Sequence, residues 1–536
     1  MRHQTDGGAA CMRLRNQITD FFYKRRLLAY SFLVSFVILA ICSKSSFLYP
    51  FNDWVDSNCF FTVGKGMMQG QVVYRDLFEQ KGVLLYFLHG LTYLVSHTTF
   101  IGVYFIEVIA GTVYLYYAAK TTTLFVDEKW AYVIVPALAT LVYSSTYFAH
   151  GDSAEELCLP LMMVGFYTLL RFFKDEATLT PRVLMVCGAL AGCVLWIKYT
   201  MLGFWVGFML AVAVALLIKK QIKRALMACV WFLAGMAVAT APWLIYFAIN
   251  GALYDWFHAY FTLNFTAYAE TMSFSEIFRV AWELFYDKVS TDTVLLVSML
   301  LGTAGFMGIR RMLPGSWAKA TIVLLPALLV QGVYGGGINY PYYFLAVMGM
   351  TMLPGMIVVA RTVSSVTGWY SGSKSTGKRK DKKTLRRTLA AAGCVIMLAA
   401  SAWHAYSNYQ YRSFMKIDKA ELAQTQFTEI MNREENPTLL NYGFLDGGFY
   451  TAADILPTVK YFCELNVLLR EMYEAQTQTI SNGEVQFVVT RLPYLGRGNG
   501  KNAAKLLEEN YELVAQTSQE FEHRQFTYSL YRLKES

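Results

Sequence analysis

Eleven apolar runs separated by short basic loops occupy most of the chain between residues 27 and 404. A helix needs roughly 20 apolar residues to cross the hydrocarbon core, and runs of this kind specify an α-helical polytopic membrane protein. They fall at about 27–43, 99–119, 131–148, 156–173, 183–197, 200–218, 224–248, 291–309, 317–335, 342–360 and 387–404. Only 16% of the 536 residues are charged and 55% are hydrophobic. Soluble domains carry about 25% charged residues, so too little polar surface is available here to face water.

The distribution of charge sets an orientation. Arg13, Arg15, Lys24, Arg25 and Arg26 precede the first run, which places this end in the cytoplasm. A twelfth apolar run, 83–96, is too short to span and reads as a juxtamembrane helix. With that choice, Lys120 and Lys129, then Arg171, Lys174 and Arg182, then Lys219, Lys220, Lys223 and Arg224, then Arg310 and Arg311, and the basic run 374–387 all fall inside. The formal net charge of +9 is therefore an orientation signal, not a nucleic-acid patch. The first run is followed by Lys44 and a bulky loop, so it is expected to remain as a span. Nine cysteines show no metal-ligand spacing; Cys59 and Cys463 both fall in segments expected outside the membrane.

Ionisable residues beside a membrane span are candidates for function, and segment 53–86 concentrates them: Asp53, Asp56, Lys65, Arg75, Asp76, Glu79 and Lys81. Two more sites sit at the same expected face. The loop HGDSAEE brings Asp152, Glu155 and Glu156 to a span, and Lys198 interrupts two apolar runs at a tight turn. A glycine-rich link, GGGINYPYYF, carries Tyr342 and Tyr343. After Trp403 the composition turns polar, and VQFVVT, KNAAKLLEENYELV and RQFTYSLYRL read as strand, helix and strand. Residues 405–536 are expected to form a small α/β domain outside the cytoplasm, following a transmembrane domain over 27–404 whose first outer loop is 44–98.

An acid after the first span, then Gly70-x-x-x-Tyr74-Arg75-Asp76, then Lys81-Gly82 before an apolar helix, resembles the membrane glycosyltransferases of the C superfamily. Within it, the protein O-mannosyltransferases and lipid A aminoarabinose transferases share the order and spacing over residues 27 to about 360. The resemblance implies transfer of a sugar from a polyprenyl-phosphate carrier to a cell-envelope glycan, lipid or protein at the outer face of the plasma membrane, with inversion. It assigns the general base to Asp56 or Asp53, with Glu155 as the acid of the second loop and Asp152 beside it. Lys81 and Lys198 match the contacts to the carrier phosphate, whereas Asp76 and Glu79 read as loop polarity. Tyr342 stands where the family has a histidine, and with Tyr343 is a substrate-binding candidate. Members differ in whether they use a divalent metal, and no ligand set is assigned. A carboxylate can take the acceptor proton, and ammonium groups can stabilise the departing phosphate. A transporter or flippase of lipid-linked sugars is the competing class, expected to show internal repeats and midplane charges; a receptor or assembly factor is a third.

Overall fold

The computed structural model describes residues 25–268, 272–309, 312–370, 381–467, 469–493 and 500–535. Residues 1–24, Arg310, Arg311 and the side chains of the basic run 374–387 lie outside the described residues. Helices account for nearly all regular structure up to Asn408. In chain order they are α1 (Arg25–Cys42), α2 (Val55–Met68), α3 (Val83–Tyr93), α4 (Ile101–Thr123), α5 (Ala131–Tyr143), α6 (Ala154–Lys174), α7 (Pro181–Lys198) and α8 (Leu202–Ile218). Then follow α9 (Ile222–Ile249), α10 (Leu253–Phe257), α11 (Phe274–Thr291), α12 (Thr293–Gly308), α13 (Gly315–Tyr334), α14 (Leu345–Tyr370) and α15 (Asp381–Asn408).

Each of the eleven expected runs is helical. Among the described residues, seven continuous helical stretches are long and apolar enough to cross a membrane, and eight if α11 and α12, bent by 109°, form one broken span. The chain is a multi-pass membrane protein. One of the seven stretches, Pro181–Ile218, contains both α7 and α8. Thr180 caps α7, accepting from Val183 N, and Pro181 opens its first turn, where a missing N–H is harmless. At Lys198 the backbone becomes extended (φ −155°, ψ 99°) and a single 3-10 turn follows. The contacts show that the chain reverses there. Along α7 and α9, Gly188 meets Phe232, Gly192 meets Met236 and Trp196 meets Thr240, so these two run parallel. The returning α8 packs Trp205 and Phe208 on Phe232.

Close approach of α7 and α9 depends on glycine. A Cβ on Gly188 would lie 1.9 Å from the Phe232 carbonyl oxygen, and one on Gly235 would lie 2.0 Å from that of Met185. In lipid, where apolar surface gives helices no reason to associate, such small-residue contacts supply the packing. The short α3, at 11 residues, falls below the roughly 20 that a span needs. It lies against α2 and tucks its polar face inward.

Beyond Asn408 come α16 (Ala423–Met431), α17 (Phe449–Ala452), α18 (Arg470–Ser481) and α19 (Gly500–Asn510). They accompany a four-stranded sheet of β1 (Leu439–Tyr442), β2 (Phe487–Leu492), β3 (Tyr511–Phe521) and β4 (Arg524–Leu533), in the order β1-β2-β4-β3. Strands β1 and β2 are parallel; the other pairs are antiparallel. VQFVVT forms β2 with a two-residue shift, and RQFTYSLYRL is β4.

The sheet unit is seated on α2 by buried polar contacts. Lys65 pairs with Asp454 at 2.7 Å, Phe78 N donates to Lys460 O at 3.0 Å, and Cys59 Sγ lies 3.7 Å from Cys463 Sγ. Fully buried Asp446 accepts from Thr62 Oγ1 (2.6 Å), Asn441 Nδ2 (2.9 Å) and Gly448 N (2.9 Å). Burial nevertheless pushes its carboxyl up to about 6. A carboxyl raised in the folded state binds its proton more tightly folded than unfolded, so its contribution to stability is complete below the ordinary carboxylate range and declines as pH rises through about 6. Asp446→Asn is expected to remove a decline of up to about 1.4 kcal/mol per pH unit between the ordinary carboxylate range and about pH 6. Thermal unfolding of both proteins across this range measures it; parallel profiles would show that Asp446 does not titrate there.

Candidate active site

Helix α2 begins without a side-chain cap at Trp54, and Asp56 occupies its first turn, where unpaired backbone N–H groups favour a negative charge. Asp56 is only partly buried. Its Oδ2 accepts a hydrogen bond from Tyr342 Oη at 3.0 Å. Trp54 packs its indole edge-on against the Tyr342 ring, 5.5 Å between centroids. The link between α13 and α14 is thereby brought onto the first loop.

Lys81 stands on a strongly anchored backbone. Its N–H donates to Glu79 Oε2 (2.8 Å) and to Tyr86 Oη (2.7 Å), and its carbonyl accepts from Tyr74 Oη (2.5 Å). Next to it, Gly82 N donates to Ile197 O at 3.1 Å. A Cβ on Gly82 would fall 2.0 Å from the Trp196 carbonyl oxygen, so only glycine lets this loop reach the end of α7. Asn264 Nδ2, from the segment after α10, closes the same corner by donating to Gln80 O at 2.9 Å.

The apposition of loop and helix end brings the two lysines together. Lys81 and Lys198 line one pocket with Gln80, Tyr199, Asn264 and Tyr343. Lys198 is nearly buried and ion-paired with buried Glu155. Its Nζ lies 3.6 Å from the Tyr343 ring centroid and 5.8 Å from that of Tyr342, within cation–π range. Glu155 itself is placed by the start of α6, where Ser153 caps the helix by accepting from Glu156 N at 3.1 Å.

Glu79 corrects the reading of that residue as loop polarity. It is 3% exposed and hydrogen-bonded by Tyr86 Oη. Burial pushes its carboxyl above the ordinary range, Lys81 counteracts this, and the Asp56 charge adds to it. The lysine and the aspartate therefore both bear on one buried group. Asp76, in contrast, pairs at the surface with Arg75.

The other two acids lie apart from the pocket. Asp53 is buried and ion-paired with Lys44 at 2.6 Å, facing the C-terminal unit. Asp152 lies in a closed polar network between α2, α3, α4 and α6. It faces His89 Nε2 at 2.9 Å, accepts from Ser57, and its N–H donates to Glu107 Oε1 (2.9 Å) and Glu156 Oε2 (2.8 Å). Burial opposes charge on His89, but Asp152 outweighs it and the imidazole is held above its ordinary value.

Sequence reasoning gave no site role to Lys44, to Glu107 or to His89, which reads as an interfacial or core residue. Glu107 had a usable signal, a single carboxylate inside an apolar run. Lys44 and His89 had none, because their partners are set by the fold. Among the described residues no group of three or more His, Cys, Asp or Glu is arranged to hold a metal ion.

Residues 15–388 match the family described as "Putative competence-induced protein Ccs4 N-terminal domain". The chain belongs to this family. No curated protein matches it by sequence. Among solved structures it is similar to ArnT from Cupriavidus metallidurans bound to undecaprenyl phosphate, at 10% identity and a TM-score of 0.57 over 95% of this chain and 98% of that one. The apo form of ArnT gives a TM-score of 0.58 at the same identity and coverage. The likeness extends through the C-terminal unit as well as the helices, and it shows that the two chains share a fold.

Proposed function

We propose that this protein transfers a sugar from a polyprenyl-phosphate carrier to a cell-envelope acceptor, with inversion and with Asp56 as general base. The observation that carries the reading is the pocket shared by Lys81 and Lys198, with a partly exposed carboxylate held beside it by Tyr342. Two lysines lining one pocket supply the kind of charged donors that a phosphate takes. That the similar fold of ArnT was solved with undecaprenyl phosphate supports the same class of carrier here.

In this reading the phosphodiester of the donor rests on Lys81 and Lys198. As the bond from the anomeric carbon to the phosphate oxygen breaks, charge grows on the phosphate and both lysines hold it, an interaction strongest where water is excluded. The acceptor hydroxyl attacks from the opposite side and gives its proton to Asp56. Tyr342 orients that carboxylate, and Glu155 holds Lys198 in place. Asp152 acts behind α2, keeping Ser57 and His89 in register instead of touching substrate. The pocket opens at the end of the bundle opposite Lys219 and Lys220, and the basic loops at that other end support an outer-face site.

Transfer from a panel of polyprenyl-phosphate sugars by the purified protein tests the proposal. Transfer from at least one donor is expected. Failure with every donor, together with carrier movement across vesicles, would overturn it in favour of a flippase. Lys81→Ala is expected to weaken carrier-phosphate binding about tenfold to a hundredfold, the range for a charged hydrogen-bonding partner. Because only the side chain beyond an anchored backbone is removed, folding should be retained; a titration with polyprenyl phosphate checks this, and unchanged affinity would remove Lys81 from the phosphate site.

A further inference from the structure

Cys59 and Cys463 are 404 positions apart, yet their sulfurs are in contact at 3.7 Å. Cys59 lies on α2, one turn beyond Asp56. Cys463 belongs to the C-terminal unit, in the segment between α17 and α18. They are 1% and 2% exposed. The other described cysteines, Cys42, Cys158, Cys187, Cys193, Cys229 and Cys394, sit in α1, α6, α7, α9 and α15.

Both backbones are fixed where the sulfurs meet. Cys59 is held by the hydrogen bonds of α2. On either side of Cys463, the Phe462 carbonyl accepts from Asn441 N and Tyr450 Oη, each at 3.1 Å, and Glu464 N donates to Phe444 O at 2.9 Å. Around the pair, the unit meets the first outer loop through polar contacts alone able to part and re-form: Lys65 with Asp454 at 2.7 Å, Thr62 with Asp446 at 2.6 Å, and Gln71 Nε2 donating to Pro457 O at 2.9 Å. Side chains aimed at each other from two fixed backbones are what a disulfide requires, and disulfides form and persist outside the cytoplasm.

We infer that Cys59 and Cys463 form a disulfide that fastens the C-terminal unit to the helix carrying Asp56. The inference rests on the outer-face placement that is part of the proposed function. In forming the bond the two thiols give up two protons and two electrons to a thiol–disulfide oxidoreductase of the cell envelope. One thiolate attacks the oxidant's disulfide, the other displaces the oxidant from the mixed disulfide, and the oxidant leaves as a dithiol. Burial pushes both thiols up, and the thiolate is the attacking form. Oxidation therefore belongs to assembly, before the unit docks, and docking then shields the bond. A link across so long a stretch of chain also restricts the unfolded state strongly.

A map of the cysteines in the full-length protein provides the test. Cells are quenched in acid, and the denatured protein is alkylated with N-ethylmaleimide without reductant, digested and weighed. The peptides holding Cys59 and Cys463 are expected as one species, two hydrogens lighter than their sum, which reductant splits. Cys59→Ser should open Cys463 to alkylation, and limited proteolysis should then cut the C-terminal unit away several-fold faster. Alkylation of both cysteines in the wild type would overturn the inference. So would Cys463 still blocked in Cys59→Ser, or a unit no more easily cut in that variant. Glu435→Cys, at an exposed position after α16, reports the side of the membrane through labelling of intact cells by a membrane-impermeant maleimide. Free native thiols with labelling there would defeat the disulfide and leave the outer-face reading standing; free thiols without it would defeat both. A linked pair in a protein that transfers sugar from no carrier would uphold the bond and defeat the transfer reading.

Discussion

Asp56→Asn is expected to lower the rate of sugar transfer about 10²- to 10⁴-fold, the contribution of a positioned general base. The amide keeps the size and planarity of the carboxylate and can still accept the hydrogen bond from Tyr342, 3.0 Å away in the wild type. What it loses is the ability to take a proton. Because Asp56 is partly exposed at the start of α2, the substitution leaves no buried charge without a partner, and the fold should be unaffected. Carrier affinity should therefore hold while single-turnover transfer collapses. The matching change at Asp53 gives the contrast: its carboxylate is bound to Lys44, so Asp53→Asn should act on stability, with a much smaller effect on the chemical step. Undiminished transfer by Asp56→Asn would take the base role away from this residue.

Lys198→Met is expected to destabilise the protein by about 3–5 kcal/mol, the usual consequence of removing one member of a buried ion pair. Glu155 is 1% exposed, and without the ammonium its charge would be left in a site with little water. The double variant Lys198→Met with Glu155→Gln removes both charges and should recover most of that stability, since replacing a whole buried pair is often close to neutral. Transfer should not recover with it, because the ammonium that meets the phosphate is still missing. Thermal unfolding of the four proteins in the cycle separates the two effects. Equal stability of Lys198→Met and wild type would mean that Glu155 is not charged against Lys198; regained transfer in the double variant would remove Lys198 from the phosphate site.

Much of the helical framework was legible because an apolar run long enough to cross lipid has few alternatives. The break at Lys198 was legible too, since a lysine between two apolar runs is expensive unless it marks a turn or a site. Lys81 and Asp56 could be singled out by their neighbours in the chain: the helix start that follows the acid, and the Lys-Gly before the next apolar run. Glu79 was misread because two residues from Lys81 in an acidic stretch looks like a solvated loop; its burial depends on Tyr86, one turn into α3. Asp53, three residues from Asp56, stood in sequence as the runner-up for the same role, yet one faces Lys44 and the other faces Tyr342.

Local sequence by itself determined where the chain turns helical, which runs are apolar enough for lipid, and where glycine permits close contact. These depend on periodicity, hydropathy and backbone freedom, all properties of neighbouring residues. The tertiary structure decided the partners: Asp56 with Tyr342 across 286 positions, Lys198 with Glu155 across 43, and Thr62 with Asp446 across 384. The energy of such pairs comes from removing water around both groups at once, so it appears only when packing has brought distant segments together. Segment 53–86 holds the charges, and the fold sends Lys81 to the pocket it shares with Lys198 and Asp53 to Lys44 on the other side of Trp54.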